Sequence, residues 1–453
     1  MARNLWTALI IHSVFGTCSM FHISSLNSIG SQVKEFLNQS LIHTYGVGEP
    51  SEFLIEVAWS TANSSFFIGC LLVSLIFPTM VDKFGRKPTL VYVSNVCGIV
   101  GCCLQFGASV YFDELGSPQW NRGFVGAVAL TVPAVYITLA AVLGLPNLLG
   151  SSYAWQYVLI APVPMNLLHL LLASKLPESP KHLYITEDKA EEAKASVLFY
   201  WEDEDAWPEQ KRLFDREKHL SERERRPSLK QILSEPEMRW PLIICVTLSG
   251  LNCASGVNVV TSYSTELLLA IGLSTEAASL WTVALLAAGS LGVLTAVSAG
   301  DFLERFGRRP TVNAGFVVGL VGDILLFAAD FLPNQRVSAA AGLTGLFLVL
   351  TGFDLGPLFV VTVTPTEIAP QASRGVTVAL SGFFHWGVSL LLGQFFPPLR
   401  ALWGSWAYVP LIAGSATAVV FSFLYLPESK GKTVEEVTAR WKRSEETRPI
   451  LDE

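Results

Sequence analysis

The phrase Asp82-Lys83-Phe84-Gly85-Arg86-Lys87 returns as Glu304-Arg305-Phe306-Gly307-Arg308-Arg309, and each copy lies between two long apolar runs. A chain written this way reads as two copies of one membrane-embedded half. Two further phrases repeat. Glu114 with Arg122-Gly123 returns as Glu367 with Arg374-Gly375, and Leu176-Pro177-Glu178-Ser179 returns as Leu426-Pro427-Glu428-Ser429. Their spacing is uneven: Gly85 and Gly307 stand 222 positions apart, Arg122 and Arg374 stand 252, and Glu178 and Glu428 stand 250. About 30 residues are therefore missing from the first copy between Lys87 and Glu114, the length of one membrane span plus a loop.

Only 15% of the residues are charged, against about a quarter in soluble domains. Those charges crowd into the Gly-Arg phrases, the stretch Glu178–Arg239 and the tail from Glu428. Five apolar segments of spanning length precede Leu176 and six follow Trp240. Backbone polar groups in lipid must pair within their own segment, so these are helices. The expected fold is an all-α multispanning membrane protein with about 11 spans. Its first half covers 1–176 and its second 240–440, joined by a linker over 177–239 and followed by a tail over 441–453. Gly315/Gly319 and Gly352/Gly356, at four-residue spacing, suit close helix contact. The linker predicts short amphipathic helices such as Glu187–Tyr200.

Lysines and arginines flanking the spans orient the chain. Lys83, Arg86 and Lys87, Arg305, Arg308 and Arg309, and the basic tail all fall on the cytoplasmic side. Gly30–Glu52 then becomes an outer loop carrying Asn38-Gln39-Ser40, a glycosylation acceptor. An even number of crossings must separate Lys87 from the cytoplasmic linker, yet only three apolar segments lie between them. Parity and repeat spacing thus locate the same deficit, at Thr89–Phe112. The seven cysteines all sit in apolar runs and form no Cys-x-x-Cys pair, as expected of reduced, buried thiols. The net charge of −7 comes with no basic, aromatic stretch for nucleic acid. No metal-binding, phosphate-binding or nucleophile-elbow motif points to an enzyme, and no cofactor or metal is expected.

In this order, and twice over, the phrases resemble the sugar porter family of the major facilitator superfamily, above all its facilitative glucose transporters. Further matching phrases are Ser117-Pro118, Pro177-Glu178-Ser179-Pro180, Gly256-Val257-Asn258 with Tyr263-Ser264-Thr265, and Pro427-Glu428-Ser429-Lys430-Gly431-Lys432-Thr433. The resemblance implies a two-half helix bundle in the plasma membrane that carries a neutral sugar or polyol by alternating access. It implies cytoplasmic gating by Asp82, Gly85, Arg86, Lys87, Glu114, Arg122 and Glu178 in the first half. The second-half counterparts are Glu304, Gly307, Arg308, Arg309, Glu367, Arg374 and Glu428. Arg86 or Arg308 is expected to pair with a carboxylate such as Glu114, Glu178, Glu367 or Glu428.

The implied solute site uses Asn252, Ser255, Asn258, Tyr263, Thr362, His385, Trp386 and His22. Several of these depart from the family. Asn252 and Cys253 stand where two sugar-binding glutamines are usual, Thr362 where a tryptophan is, His385 where an asparagine is, and Leu130 where a glutamine is. Each lost partner for a buried hydroxyl costs about 1–3 kcal/mol, so a sugar other than glucose, a polyol or a related solute stays open. His12 and His169, near no motif, read as structural, and Asp354 as a latch or packing carboxylate. Asp323, inside a span with no evident partner, is open to proton coupling or helix packing. A second function class also stays open: a sensor, or a shortened isoform that does not transport.

Overall fold

A computed structural model describes residues 3–15, 20–43, 50–85, 87–93, 122–151, 154, 157–158, 161–223, 227–298, 306–358 and 364–446. The shortened stretch around Thr89–Phe112 lies largely outside these residues. Among them the structure is helical with no strand. Five helical runs are long and apolar enough to cross a membrane: Glu52–Ser74, Pro236–Ala270, Arg308–Ala329, Gln335–Leu355 and Gln371–Tyr425.

The chain divides into two compact units. One comprises Met1–Arg223 with Thr261–Ser298, the other Glu224–Val260 with Ala299–Glu453. Thr261–Ser298, which the sequence repeat assigns to the second half, thus packs with first-half helices.

The first unit begins with α1 (Arg3–Ile10), which runs into a π-helical turn, Ile11–Phe15. Then come α2 (Phe21–Ser28), α3 (Gly30–His43) and α4 (Glu52–Phe84). The sequence suggests an outer loop from Gly30. Instead its first 14 residues are helical, because Ile29 and Val33, four apart, bury on one side while Lys34 is drawn inward by carboxylates. Asn38 therefore stands half-buried on a helix. Ser51 caps α4 by accepting the Leu54 N–H, and Gly85, at φ +93°, ends it.

Next come α5 (Arg122–Leu143), α6 (Val163–Ala173), α7 (Ala190–Trp201) and α8 (Ala206–Arg223). Helix α7 realises the amphipathic linker segment. Its buried Ser196 and Tyr200 donate to the carbonyls of Glu178 and Pro177 at 2.6 and 2.7 Å. Its C-terminal Glu202 accepts the Arg3 and Asn4 N–H groups at 3.0 and 3.1 Å, so the linker holds the start of α1. Ahead of α8, Tyr184 donates to Asp215 at 2.6 Å, a bond that holds the phenol up at about 12.

The second unit opens with α9 (Leu229–Ser234), started by a Ser228/Gln231 capping box. The segment from Trp240 reads in sequence as one span. Here it breaks into α10 (Pro236–Ala254) and α11 (Val257–Ala270) at Gly256, φ +85°. Helix α12 (Thr275–Ser298) packs on α5 in the first unit. In the second unit follow α13 (Arg308–Ala329), α14 (Gln335–Leu355) and α15 (Thr364–Ile368). The chain closes with α16 (Gln371–Trp403), a 3-10 turn Gly404–Tyr408, α17 (Val409–Tyr425) and α18 (Val434–Glu446).

Helices α13 and α14 pack closely, and glycine makes this possible. A methyl group on Gly352 would stand 2.5 Å from Gly319 N and 2.6 Å from Gly315 O. The neighbouring atoms are backbone and cannot swing aside. Gly352→Ala is expected to lower the melting temperature of the purified protein, with a cost of about 1–3 kcal/mol from overpacking. An unchanged melting curve would show that the two helices can separate freely.

Candidate functional site

The repeated basic phrase builds the same object twice. In the first unit Gly85 adopts φ +93° and in the second Gly307 adopts φ +92°. Four residues on, Thr89 donates to the Gly85 carbonyl and Thr311 to the Gly307 carbonyl, both at 2.7 Å. Each turn then directs backbone N–H at one carboxylate, one group in the first and two in the second. Glu178 accepts the Lys87 N–H at 3.0 and 2.9 Å through its two oxygens. Glu428 accepts the N–H groups of Arg308 and Arg309 at 3.0 and 3.1 Å. A methyl group on either glycine would lie 2.6 Å from the carboxylate, so glycine is required by space as well as by φ. These acids sit where a helix start concentrates positive potential.

Arg308 pairs as the sequence leads one to expect, with Glu367, one of the candidate carboxylates. Glu178 and Glu428 accept backbone N–H groups as well. The Arg308 guanidinium reaches Glu367 at 3.0 and 3.1 Å, and Ser429 donates to the same carboxylate. Arg309 donates to the Phe423 carbonyl and lies over the Phe423 ring. Arg374 reaches the Ala369 carbonyl at 3.4 Å, and Lys87 Nζ the Ser174 carbonyl at 2.9 Å. Burial pulls the Lys87 ammonium below the usual lysine range although Glu178 pulls the other way. Arg86, Glu114, Glu304 and Thr362 lie outside the described residues, and Asp82 and Arg122 are placed only as parts of α4 and α5.

Five of the expected solute residues meet where α10 breaks and α16 passes. His385 Nδ1 stands 3.0 Å from Cys253 Sγ. Ser389 Oγ is 3.1 Å from that sulfur and accepts the Asn258 amide at 2.6 Å. Trp386 stands edge-on to the His385 ring, 4.7 Å between centroids. Ser255 donates to the Asn252 carbonyl at 2.6 Å, tightening the last turn of α10. The Asn252 side chain is fully buried, yet neither its oxygen nor its nitrogen has a partner among the described residues. Ser249 and Ser381, equally buried on α10 and α16, likewise have unpartnered hydroxyls. Buried polar groups are rarely left so. An arrangement of neutral donors and acceptors suits hydroxyl groups better than ions.

In the first unit, His22 sits half-buried on α2, edge-on to Phe21. Tyr263 is buried on α11. Two features here escaped the sequence reading. Asn27 donates to the Thr261 carbonyl and Ser264 hydroxyl, both at 2.9 Å, and accepts the Thr265 N–H at 3.1 Å, clamping α2 to α11. Lys34 Nζ lies 2.6 Å from both Glu56 and Glu266, joining α3, α4 and α11, with the Trp59 ring 5.8 Å away. Glu266 carried a signal, being an acid in the middle of an apolar run. His12 and His169, apart in sequence from every motif, are a buried pair with ring nitrogens 3.0 Å apart.

Comparison with known proteins agrees with this architecture. A family model described as "Sugar (and other) transporter" matches residues 8–115 and 96–441. The two pieces overlap at 96–115, inside the stretch where the repeats fall out of register. Facilitated glucose transporter member 5 of solute carrier family 2 from Equus caballus is 28% identical, over 96% of this chain and 91% of the relative. Member 4 from Homo sapiens is 26% identical, over 96% and 90%. Among solved structures, the proton:xylose symporter XylE bound to 6-bromo-6-deoxy-D-glucose aligns with a TM-score of 0.75 at 19% identity, over 97% of this chain and 99% of that one. XylE in its inward-open conformation aligns at 0.73. The likeness to these structures establishes the major facilitator fold, and the family model and transporter relatives mark an integral membrane protein. With its repeated turns, its broken helix and a family model reaching from residue 8 to 441, the chain belongs to the sugar (and other) transporter family.

Proposed function

We propose that this protein carries a neutral, polyhydroxylated solute, a sugar or a polyol, across a membrane by facilitative alternating access. The observation that carries the choice of solute is the buried, unpartnered amide of Asn252 beside the uncharged cluster of Asn258, Cys253, His385 and Ser389. A solute hydroxyl can donate to and accept from such groups without bringing a charge into the membrane. In this reading α10 and α11 flex at Gly256 around the solute, and the capped basic turns, with the Arg308–Glu367 pair, close and part on the cytoplasmic side. Plasma-membrane residence, cytoplasmic termini and glycosylation at Asn38 belong to the same reading. A mobility shift on endoglycosidase treatment, lost in Asn38→Gln, would support the last.

The test is uptake of labelled D-glucose, D-fructose, D-xylose and sorbitol into vesicles holding the purified full chain. Saturable uptake and counterflow of at least one is expected, with Asn252→Ala raising its half-saturation concentration about tenfold or more. Absence of saturable uptake across the panel would overturn the transport reading. The split family match favours one competing reading, a shortened protein that binds solute without moving it. That reading requires binding to persist where uptake fails.

A further inference from the structure

We propose that Asp323 is a proton-binding site linked to solute binding through the α10–α11 break, an inference that rests on the transport reading above. Asp323 stands in the middle of α13 and is fully buried. One carboxyl oxygen accepts the Ser415 hydroxyl of α17 at 2.5 Å. The other, Oδ1, has no partner among the described residues. It points at Gly256, where a methyl group would meet it at 3.3 Å and Leu411 at 3.2 Å. A half-paired acid therefore faces the residue at which the solute helix is broken.

An ionised carboxylate held in an apolar interior by a single hydroxyl is costly, and taking a proton removes that cost. A metal ion is a poor alternative. One carboxylate and one hydroxyl fall well short of the six or so oxygens a hard cation gathers, and no group of three potential ligands exists among the described residues. The proton comes from water and sits on the carboxyl, with no other chemistry needed.

Helix α16 contributes one titratable group near the break, His385, whose ring stands 3.0 Å from Cys253. Helix α14 contributes Asp354, itself buried. The 3-10 turn contributes Tyr408, which lies within the field of Asp323. Beyond it, Arg400 is neutralised by Asp330 at 2.5 Å and stacks 5.0 Å from the Tyr408 ring. Helix α17 carries no charged residue. The charges of α10, Glu237 and Arg239, lie at its start, more than four turns from the break.

From Gly256 the connection to the solute cluster is short and covalent. Asn252 and Cys253 lie on the last turn of α10, and Asn258 on the first turn of α11. Closing that cluster around a solute expels water from the break, which favours the neutral acid. By reciprocity the protonated protein holds solute more tightly.

The test uses the full chain in lipid nanodiscs and vesicles, with two readouts. Infrared titration without solute should show a protonated-carboxyl band that disappears as pH rises, is absent in Asp323→Asn and is kept in Asp354→Asn. Ser415→Ala, which keeps the carboxyl but removes its one donor, should move that disappearance to higher pH. It also stands in if Asp323→Asn fails to fold. Whichever sugar or polyol of the panel above is taken up should bind about tenfold more tightly in mildly acid than in mildly alkaline buffer. Asp323→Asn should hold one affinity across that range while keeping counterflow. A band unchanged in Asp323→Asn, or an equal pH dependence in both proteins, would overturn the proposal. If no panel member is taken up, the transport reading and the linkage fall together. The infrared band then decides separately whether the site binds a proton.

Discussion

Lys34→Met is expected to cost the protein about 3 kcal/mol of stability, the low end of what breaking a buried ion pair costs. The side chains of Lys34, Glu56 and Glu266 keep only 24%, 16% and 22% of their exposure. Removing the ammonium leaves two carboxylates, each 2.6 Å from the vacated position, with nothing between them but repulsion. Water reaches the cluster partly, which is why the low end applies. The effect should appear as a fall in melting temperature of the purified protein and as greater protease access to α11. Adding Glu266→Gln to Lys34→Met should recover much of the loss, since one of the two stranded charges is then gone. If Lys34→Met melts like the parent, the cluster is solvated and clasps nothing.

Glu428→Ala should be comparably damaging, for a different reason. It removes one acceptor from two backbone N–H groups, those of Arg308 and Arg309, and from the Lys430 N–H at 2.9 Å. Hydrogen bonds to a charged group contribute about 1.5–3 kcal/mol each, and these are not additive, so a total near 3 kcal/mol is expected. Glu428→Gln should fall between, because its amide oxygen still accepts but carries no charge to answer the start of α13. Solute counterflow should slow about tenfold in Glu428→Ala, with little change in the half-saturation concentration, if the turn governs closure rather than binding. Equal melting of Glu428→Ala and the parent protein would remove the cap from the account. An effect of Arg308→Ala as large as that of Glu428→Ala would shift the weight onto the Glu367 pair.

The fold was legible because its signals are local and repeated. Apolar runs of spanning length, basic residues at their ends and phrases written twice all survive without knowledge of contacts. Gly85 and Gly307 could be read as equivalent from sequence. That Glu178 and Glu428 also cap backbone N–H groups could not, because an arginine beside an acid suggests side-chain pairing alone and hides the backbone donors. The break at Gly256 was obscured by hydropathy, which stays high across Ser255–Gly256 and reports one span where there are two helices. Lys34 escaped because a lone lysine after an apolar run looks like a loop residue. Only the fold brings Glu56 and Glu266 to it, from 22 residues away and from a different repeat. Asp323 was visible as an isolated acid in a span, and Ser415 became its partner only once α17 was in place.

The two capped turns also bear on how the chain is made. The Lys87 N–H waits for an acceptor 91 residues downstream, and the Arg309 N–H for one 119 residues downstream. At about 5–20 residues per second of synthesis, each turn spends on the order of 10 s without its carboxylate. During that interval its exposed donors are available to lipid headgroup phosphates or to the insertion machinery. Biogenesis therefore passes twice through the same vulnerable moment, and truncation before Glu178 or Glu428 would leave a nascent helix start that quality control can recognise.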